Sequence, residues 1–243
     1  MKYNKNVKKA EFINRPNRFN AVVKLEEEEI TVHVPNTGRC GELLVEGYTV
    51  FLREENNPTR KTPYDLIAVY KGNKLISMDS QIPNKVVEEA LKNKKIKKLV
   101  KYTNILREKT FGKSRFDFKI SNDLGEEYYL EVKGVTLESD GYAKFPDAPT
   151  KRGAKHLLEL VEAKNNGYGA GVMFLIQLED VNKFSPNNER DKEFGEALRI
   201  AAKNDVDIFA YNCIVTEDGI EINEEVEIIL TWVNSEENLG LMT

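Results

Sequence analysis

The sequence predicts a small all-β barrel followed by an α/β domain with a mixed sheet. Up to about residue 80 there are only short strand candidates, separated by turn residues. From Ile82 onward, helical apolar patterns alternate with strand candidates, which is typical of an α/β domain. A chain of 243 residues is long enough for two domains that each bury a core. We therefore expect a β domain over residues 1–81 and an α/β domain over residues 82–243.

The first part of the chain has strand candidates with few residues between them and no helix longer than two turns. They lie at 18–25, 29–34, 48–53, 64–70 and 74–78. Such a density of short strands favours a small closed or partly closed barrel, of which the oligonucleotide-binding (OB) fold is one example. Other small β folds fit the same pattern.

The second part begins with a helix, because Val86, Val87, Ala90 and Leu91 recur at helical spacing behind Pro83. The predicted order continues as strand, strand, strand, helix, strand, helix, strand, with one or two more strands at 219–233. These elements fall at 105–111, 115–120, 127–135, about 150–165, 170–178, about 190–203 and about 207–215.

The helix that starts near Thr150 has two predicted faces. Helical spacing places one set of residues on an apolar face and a second set on a polar face. The expected apolar face holds Ala154, Leu157, Leu158 and Val161, and the expected polar face holds Arg152, His156 and Glu159.

The charge of the chain argues both for and against nucleic-acid binding. The net charge of −4 argues mildly against a protein that coats nucleic acid. Basic residues nevertheless gather at 92–98, 107–115 and 144–155, while acidic residues gather at 26–29 and 217–237. A basic face with acidic ends and a set of solvated helix faces both fit this distribution.

Composition bears on the cellular location of the protein and on its cysteine chemistry. No apolar run of about 18 residues occurs, and the first residues lack the apolar stretch of a signal peptide, so we expect a cytoplasmic protein without membrane contact. Cys40 and Cys213 lie far apart in the sequence, and their spacing indicates neither a disulfide framework nor a zinc site. The sequence is compatible with a homodimer.

Residues 114–135 predict a hairpin that carries chemistry. Two β-prone runs flank the turn residues at 122–125. With Leu124 at the turn centre, Asp117 and Glu131 each lie seven residues away and face one another in an antiparallel register. Because side chains alternate along a strand, Lys133 projects from the same face as Glu131. The sequence therefore predicts two carboxylates and one amine in a compact cluster.

Such a cluster suits a metal-dependent phosphodiesterase. Two close carboxylates can bind Mg²⁺ or Mn²⁺ and leave coordination positions for water and a phosphate oxygen. The Lys133 amine would orient the attacking water or stabilise the charge of the transition state. An exposed structural ion pair, worth about 0–1 kcal/mol, accounts for the same spacing.

Several longer segments identify a family resemblance. Asp117 followed by Glu131-Val132-Lys133 resembles the PD-(D/E)XK nuclease superfamily, whose core has the predicted element order. The chain is also similar to the sugar fermentation stimulation protein A family in PNRF, VHVPNTGR, NNPTRKTPY, EVKGVTL and FPDAPTKRGAKHL. This resemblance implies an OB-like domain joined to a PD-(D/E)XK domain, and it implies DNA binding.

Site residues follow from that resemblance. Asp117, Glu131 and Lys133 occupy the superfamily's catalytic pattern, and Glu89 matches a glutamate that often completes the metal site from the first helix. Glu88 is placed almost as well. Ala154 departs from the family, which often has glutamine there.

The expected DNA contacts are polar or basic. The PNTGR loop presents amides and a guanidinium suited to a phosphate, although a tight turn explains most of the loop equally well. We select Asn36, Thr37, Arg39, Lys144, Arg152, Lys155 and His156. The alternative function is a DNA-binding regulator of sugar metabolism that does not cleave.

Overall fold

The computed structural model describes residues 1–36 and 38–231. Its first domain is a β barrel. Its strand order is β3-β2-β1-β4-β5-β6, and a pairing of β3 with β5 closes the sheet. This is the connectivity of a five-stranded OB barrel with one added strand. The strands are β1 (Val7–Asn14), β2 (Asn20–Leu25), β3 (Glu28–His33), β4 (Thr49–Glu54), β5 (Tyr64–Lys71) and β6 (Lys74–Ser77).

Strand β1 is the barrel strand that the sequence pattern did not reveal. Only Ala10 and Phe12 of this strand are buried, while Lys8, Lys9 and Glu11 are exposed. With two inward apolar residues, the strand shows too little alternation to be recognised. It nevertheless pairs with both β2 and β4, so the barrel depends on it.

The second domain has a six-stranded mixed sheet in the order β15-β14-β12-β9-β8-β7. Strand β12 lies parallel to both β9 and β14, while β7, β8 and β9 form an antiparallel meander. Helix α1 packs on one face, and helices α2 and α3 pack on the other. The elements are α1 (Ile82–Lys92), β7 (Asn104–Phe111), β8 (Ser114–Ser121), β9 (Glu127–Val135), α2 (Lys151–Asn165), β12 (Gly169–Ile176), α3 (Lys192–Lys203), β14 (Asp207–Thr216) and β15 (Gly219–Glu225).

A small second sheet was not predicted. Its order is β10-β11-β13-β16, and it consists of two- and four-residue strands too short for a periodic signal. These strands are β10 (Glu138–Ser139), β11 (Tyr142–Phe145), β13 (Lys183–Pro186) and β16 (Glu227–Ile228). The predicted fold class is confirmed, since a β barrel precedes an α/β domain with a mixed sheet.

Helix α2 is rotated relative to the prediction. Leu158 was expected on the buried face but is 44% exposed, whereas His156 and Glu159, expected on the polar face, are 4% and 7% exposed. The helix begins where expected, because the Thr150 hydroxyl accepts a hydrogen bond from the Gly153 amide at 3.0 Å. Its buried face thus carries two polar side chains, and His156 contacts the candidate site.

In the described part of the chain, no helix is long and apolar enough to cross a membrane.

Candidate functional site

The hairpin of β8 and β9 has the predicted register. The pairs Phe118 with Leu130 and Ser121 with Glu127 place Asp117 and Glu131 at the next opposed position. The turn closes with a hydrogen bond from the Gly125 amide to the Asn122 carbonyl at 3.1 Å. The two carboxylates are therefore brought together by a local hairpin, as the sequence predicts.

Asp117 lies where the regular strand pairing ends. Beyond Phe118 the ladder between β8 and β9 stops, and the Val132 amide donates to Asp117 Oδ2 at 2.8 Å. The other oxygen, Oδ1, accepts from the Asn84 side-chain amide of α1 at 2.7 Å. Both carboxylate oxygens are thus oriented, one by the neighbouring strand and one by the helix.

Glu131 is buried, with 4% exposure, and its two oxygens differ. Oε1 accepts from Lys133 Nζ at 2.5 Å and pairs with His156 Nδ1 at 2.6 Å. Oε2 is buried and has no hydrogen-bond partner among the described residues. An unpaired buried carboxylate oxygen is costly, so it indicates a site for a ligand that can satisfy it.

His156 serves the site through Glu131. Arg152 Nε donates to His156 Nε2 at 3.3 Å, and a guanidinium can only donate, so Nε2 accepts and Nδ1 carries the proton towards Glu131. We predicted that His156 contacts DNA, but the ring is 4% exposed and lies between Glu131 and Arg152, so this geometry does not favour that contact. It fixes the direction of one carboxylate oxygen instead.

Burial and charge affect the two carboxyl groups in opposite directions. Burial, followed by the nearby Glu131 carboxylate, raises the pKa of Asp117 above its ordinary value. Burial also acts to raise the pKa of Glu131, but hydrogen bonds from His156 and Lys133 outweigh it and hold that pKa below its ordinary value. The site therefore holds one stabilised carboxylate and one whose charge lacks compensation.

The residues around these groups form a cavity of about 310 Å³, which we call the carboxylate cavity. Its lining residues are Ser80, Pro83, Asn84, Asp117, Glu131, Val132, Lys133, Gly134, Thr150, Arg152 and Gly153. Arg152 is exposed, while the Lys133 side chain retains 17% exposure. The cavity thus combines two acidic and two basic side chains with access to solvent.

The donor set fits a hard divalent cation with few protein ligands. Within residues 1–36 and 38–231, no group of three or more His, Cys, Asp and Glu side chains is placed to hold a metal. Mg²⁺ commonly uses one or two carboxylates and takes its other ligands from water and substrate phosphate. The uncompensated Asp117 charge and the free Glu131 Oε2 match that requirement.

The structure does not bring Glu89 to this cavity. Its carboxylate lies 3.1 Å from the amino group of Met1, on another face of α1. Glu88 pairs with Lys92 and Arg107 and does not line the cavity either. From α1 the cavity receives Asn84, a residue that the sequence reasoning missed.

The loop after β3 is held by an arginine that sequence reasoning also missed. Arg15 donates to the carbonyls of Arg18, Asn36, Gly38 and Arg39 at 2.6–2.7 Å. The Asn36 side chain donates to the Met78 carbonyl and accepts from the Gly38 amide, so it stabilises the loop. Thr37 lies outside the described residues.

The remaining predicted contacts lie at two different places. Asn36, Gly38 and Lys144 line a cavity of about 390 Å³, the loop cavity, which shares Ser80 and Gly134 with the carboxylate cavity. Arg39 is exposed on the loop that borders it. Lys155 instead lies 3.6 Å from Glu159 and lines a separate cavity between α2 and α3. Arg39, Lys144 and Arg152 can thus serve one surface, and Lys155 cannot.

The fold and cavity define a class of two-domain protein, in which an OB barrel precedes an α/β domain with paired carboxylates on its central hairpin. Two family profiles match the chain, the SfsA N-terminal OB domain over residues 13–78 and the sugar fermentation stimulation protein RE domain over residues 81–219. The chain belongs to the sugar fermentation stimulation protein (SfsA) family.

Relatives cover almost the whole chain. A sugar fermentation stimulation protein homolog from Clostridium perfringens is 66% identical over 230 residues, which is 95% of this chain and 100% of that protein. A homolog from Clostridium tetani is 68% identical, over 93% of this chain and 98% of its own length. The structure of Pyrococcus furiosus SfsA in complex with Ca²⁺ matches with a TM-score of 0.86 at 27% identity, covering 94% of this chain and 98% of that one.

Proposed function

We propose that this protein is a DNA-binding, divalent-metal-dependent endonuclease that hydrolyses phosphodiester bonds in the carboxylate cavity. The observation that carries the proposal is the unpaired, buried Glu131 Oε2, next to a second carboxylate and a lysine. A purely structural hairpin does not require two acids in one partly closed cavity, since their repulsion destabilises the fold. The Ca²⁺ complex of the archaeal relative supports a hard cation.

Asp117 and Glu131 would hold Mg²⁺ or Mn²⁺ in this proposal. When bound, such an ion polarises the phosphate and lowers the pKa of a bound water. Asn84 and the Val132 amide keep Asp117 oriented, while His156 keeps Glu131 Oε1 occupied. The protein thus presents a prearranged pair of oxygens, and little reorganisation is needed when the ion binds.

Lys133 and Arg152 are the basic groups that face the phosphate. Lys133 Nζ pairs with Glu131, and Lys133 lines the carboxylate cavity, where its amine would orient water or donate to a phosphate oxygen. Arg152 is exposed and keeps four N–H donors beyond the one directed to His156, so it can grip a phosphate. Both charges offset negative charge that develops during hydrolysis.

DNA would extend from the carboxylate cavity into the loop cavity. Ser80 and Gly134 line both cavities, and the second is bordered by Lys144 and the exposed Arg39. A methyl group at Gly134 would lie 2.4 Å from Gln177 Oε1 and 2.8 Å from Pro83 Cγ, so glycine is needed at this junction. We infer that these basic residues position the backbone while the carboxylates act on it.

The family name favours a second candidate, a DNA-binding regulator of sugar metabolism in which the nuclease-like domain is a scaffold. The two candidates differ in the need for Lys133. A scaffold binds DNA equally well when this largely enclosed amine is removed, whereas an endonuclease loses cleavage.

The test is incubation of branched, single-stranded and duplex DNA with the wild type, with and without Mn²⁺. Lys133→Ala should bind metal but lose cleavage. Lys119→Ala is the matched control, because Lys119 lies on the same hairpin, pairs with Glu127 at 2.7 Å and is 24% exposed. We expect metal-dependent cleavage in the wild type and in Lys119→Ala only. DNA binding without cleavage of any substrate would reject the endonuclease and leave the scaffold.

A further inference from the structure

A larger cavity lies on the other side of the first turn of α1. It has a volume of about 640 Å³, and we call it the junction cavity. Its lining residues are Met1, Tyr3, Asn4, Lys5, His33, Arg53, Glu55, Arg60, Lys61, Thr62, Asp65, Gln81, Ile82 and Lys85. Its walls thus come from the barrel, from the loop between β4 and β5, and from the start of α1.

The start of α1 forms the wall between the two cavities. Ser80, Pro83 and Asn84 line the carboxylate cavity, whereas Gln81, Ile82 and Lys85 line the junction cavity. The two cavities share no lining residue but are separated by a single turn of helix. The openings of the two cavities are therefore close along the chain, on either side of the start of α1.

A network of ion pairs, in which Asp65 and Asp79 are buried, forms the floor of the junction cavity. Arg53 donates to Glu55 at 2.8 Å and to Asp65 and Asp79 at 3.0 Å each. Arg60 also pairs with Asp65, and Lys5 pairs with Glu55. Three carboxylates thus meet three side-chain cations, and the floor is formally neutral.

The rim of the cavity carries additional positive charge. Lys61 and Lys85 are both exposed, and neither has an ion-pair partner among the described residues. The Arg60 and His33 side chains also remain 26% and 33% exposed at the same cavity. Since the floor is balanced internally and the amino group of Met1 is paired with Glu89, the two lysines leave the cavity with an excess of two positive charges.

We propose that the junction cavity binds phosphate groups of a nucleotide ligand through Lys61 and Lys85. The volume lies in the range of about 300–1,000 Å³ that is usual for small-ligand sites. Two exposed lysines at the rim of one cavity attract phosphate groups. The floor has no net negative charge, so it does not favour a cation over an anion. The phosphates belong to a nucleic-acid strand that runs past α1 from the carboxylate cavity, or to a free nucleotide. The strand version rests on the proposed function.

The experiment compares a Lys61→Ala, Lys85→Ala double variant with a Lys9→Ala, Lys203→Ala control. All four lysines are exposed, the two variants lose the same charge, and Lys9 and Lys203 line neither cavity. Binding of the full chain to a long single-stranded oligonucleotide, a dinucleotide and deoxyadenosine monophosphate is measured at 0.1 M salt without divalent metal. Melting curves confirm that each variant is folded.

For a single strand, each phosphate contact changes log K by about 0.7 for each tenfold change in salt concentration. Two contacts therefore contribute about 25-fold to the affinity at 0.1 M salt, relative to about 1 M salt, where their contribution vanishes. We expect the double variant to bind the long oligonucleotide about 25-fold more weakly, with the control unchanged. Loss of monophosphate binding alone would support the site and identify a free nucleotide as its source. Unchanged binding of every ligand would overturn the proposal.

The outcomes also separate this proposal from the endonuclease. If the wild type never cleaves but the double variant loses affinity, the junction site stands without the proposed function. If the wild type cleaves and the double variant binds every one of the three ligands normally, the endonuclease stands and the junction site fails.

Discussion

Replacement of Asp117 by Asn tests the metal site most directly. In the wild type, Mn²⁺ that binds the folded state only should stabilise it by about 2.7 kcal/mol at 100 times the Kd. For a chain of this size, each kcal/mol corresponds to about 2–4 °C of Tm, so the expected rise is about 5–11 °C. Asp117→Asn removes one of the two carboxylates and should abolish that rise.

The metal-free variant should be at least as stable as the wild type. Burial and Glu131 raise the pKa of Asp117, so its charged form destabilises the folded state at neutral pH. Asparagine keeps an oxygen that can accept from the Val132 amide, its NH2 group can donate to the Asn84 side-chain oxygen once that amide turns over, and the repulsion disappears. The assay is a thermal melt with and without Mn²⁺, with Asp123→Asn, an exposed carboxylate in the hairpin turn, as the control. A Tm rise of equal size in Asp117→Asn would refute the assignment.

Three further predictions follow from named contacts. His156→Gln should weaken metal affinity about 10–100-fold, since it removes the imidazole that orients Glu131, and an unchanged Mn²⁺ midpoint in thermal melts would contradict this. Arg39→Ala and Arg152→Ala should each weaken duplex binding and lower the salt slope by about 0.9 without unfolding the protein, whereas loss of the folded state would show a structural role. Asp65→Asn should lower the free energy of unfolding by about 3–5 kcal/mol at neutral pH, because it removes a carboxylate that pairs with both Arg53 and Arg60. Burial acts to raise the pKa of Asp65, but hydrogen bonds from Arg60 and His33 hold it below 3.8, so this stabilisation is present above pH 3.8 and disappears as the pH falls further. The Tm difference between wild type and Asp65→Asn should therefore shrink in acid, and a constant difference would reject the linkage.

The sequence predicted those parts of the fold and site that depend on local pattern. The hairpin of β8 and β9 is set by its turn, so the register of Asp117, Glu131 and Lys133 follows from counting residues. Helix α2 begins at a recognisable cap, Thr150. Strand β1 was missed because its charged residues mask the alternation of two buried side chains.

The parts that sequence did not reveal depend on contacts between distant residues. Asn84 reaches Asp117 across 33 positions, and Arg15 reaches the loop at 36–39 across more than 20. His156 was predicted on the exposed face of α2 but is buried, because helical periodicity alone assigns polar residues to the solvent-facing side. A buried polar residue that pairs with another buried polar residue gives no sign in a single sequence.

The carboxylate cavity depends on the junction between the two domains. Asp79 binds Arg53 of the barrel, and its other oxygen accepts from the Gln81 amide at 2.9 Å. That contact fixes the chain just before α1, and Asn84 then orients Asp117 from the first turn of the helix. Gln177 on the opposite side donates to the Asp79 carbonyl at 3.3 Å, so both domains hold this segment. Since the same turn separates the carboxylate cavity from the junction cavity, the position of Asn84 beside Asp117 depends on contacts from both domains.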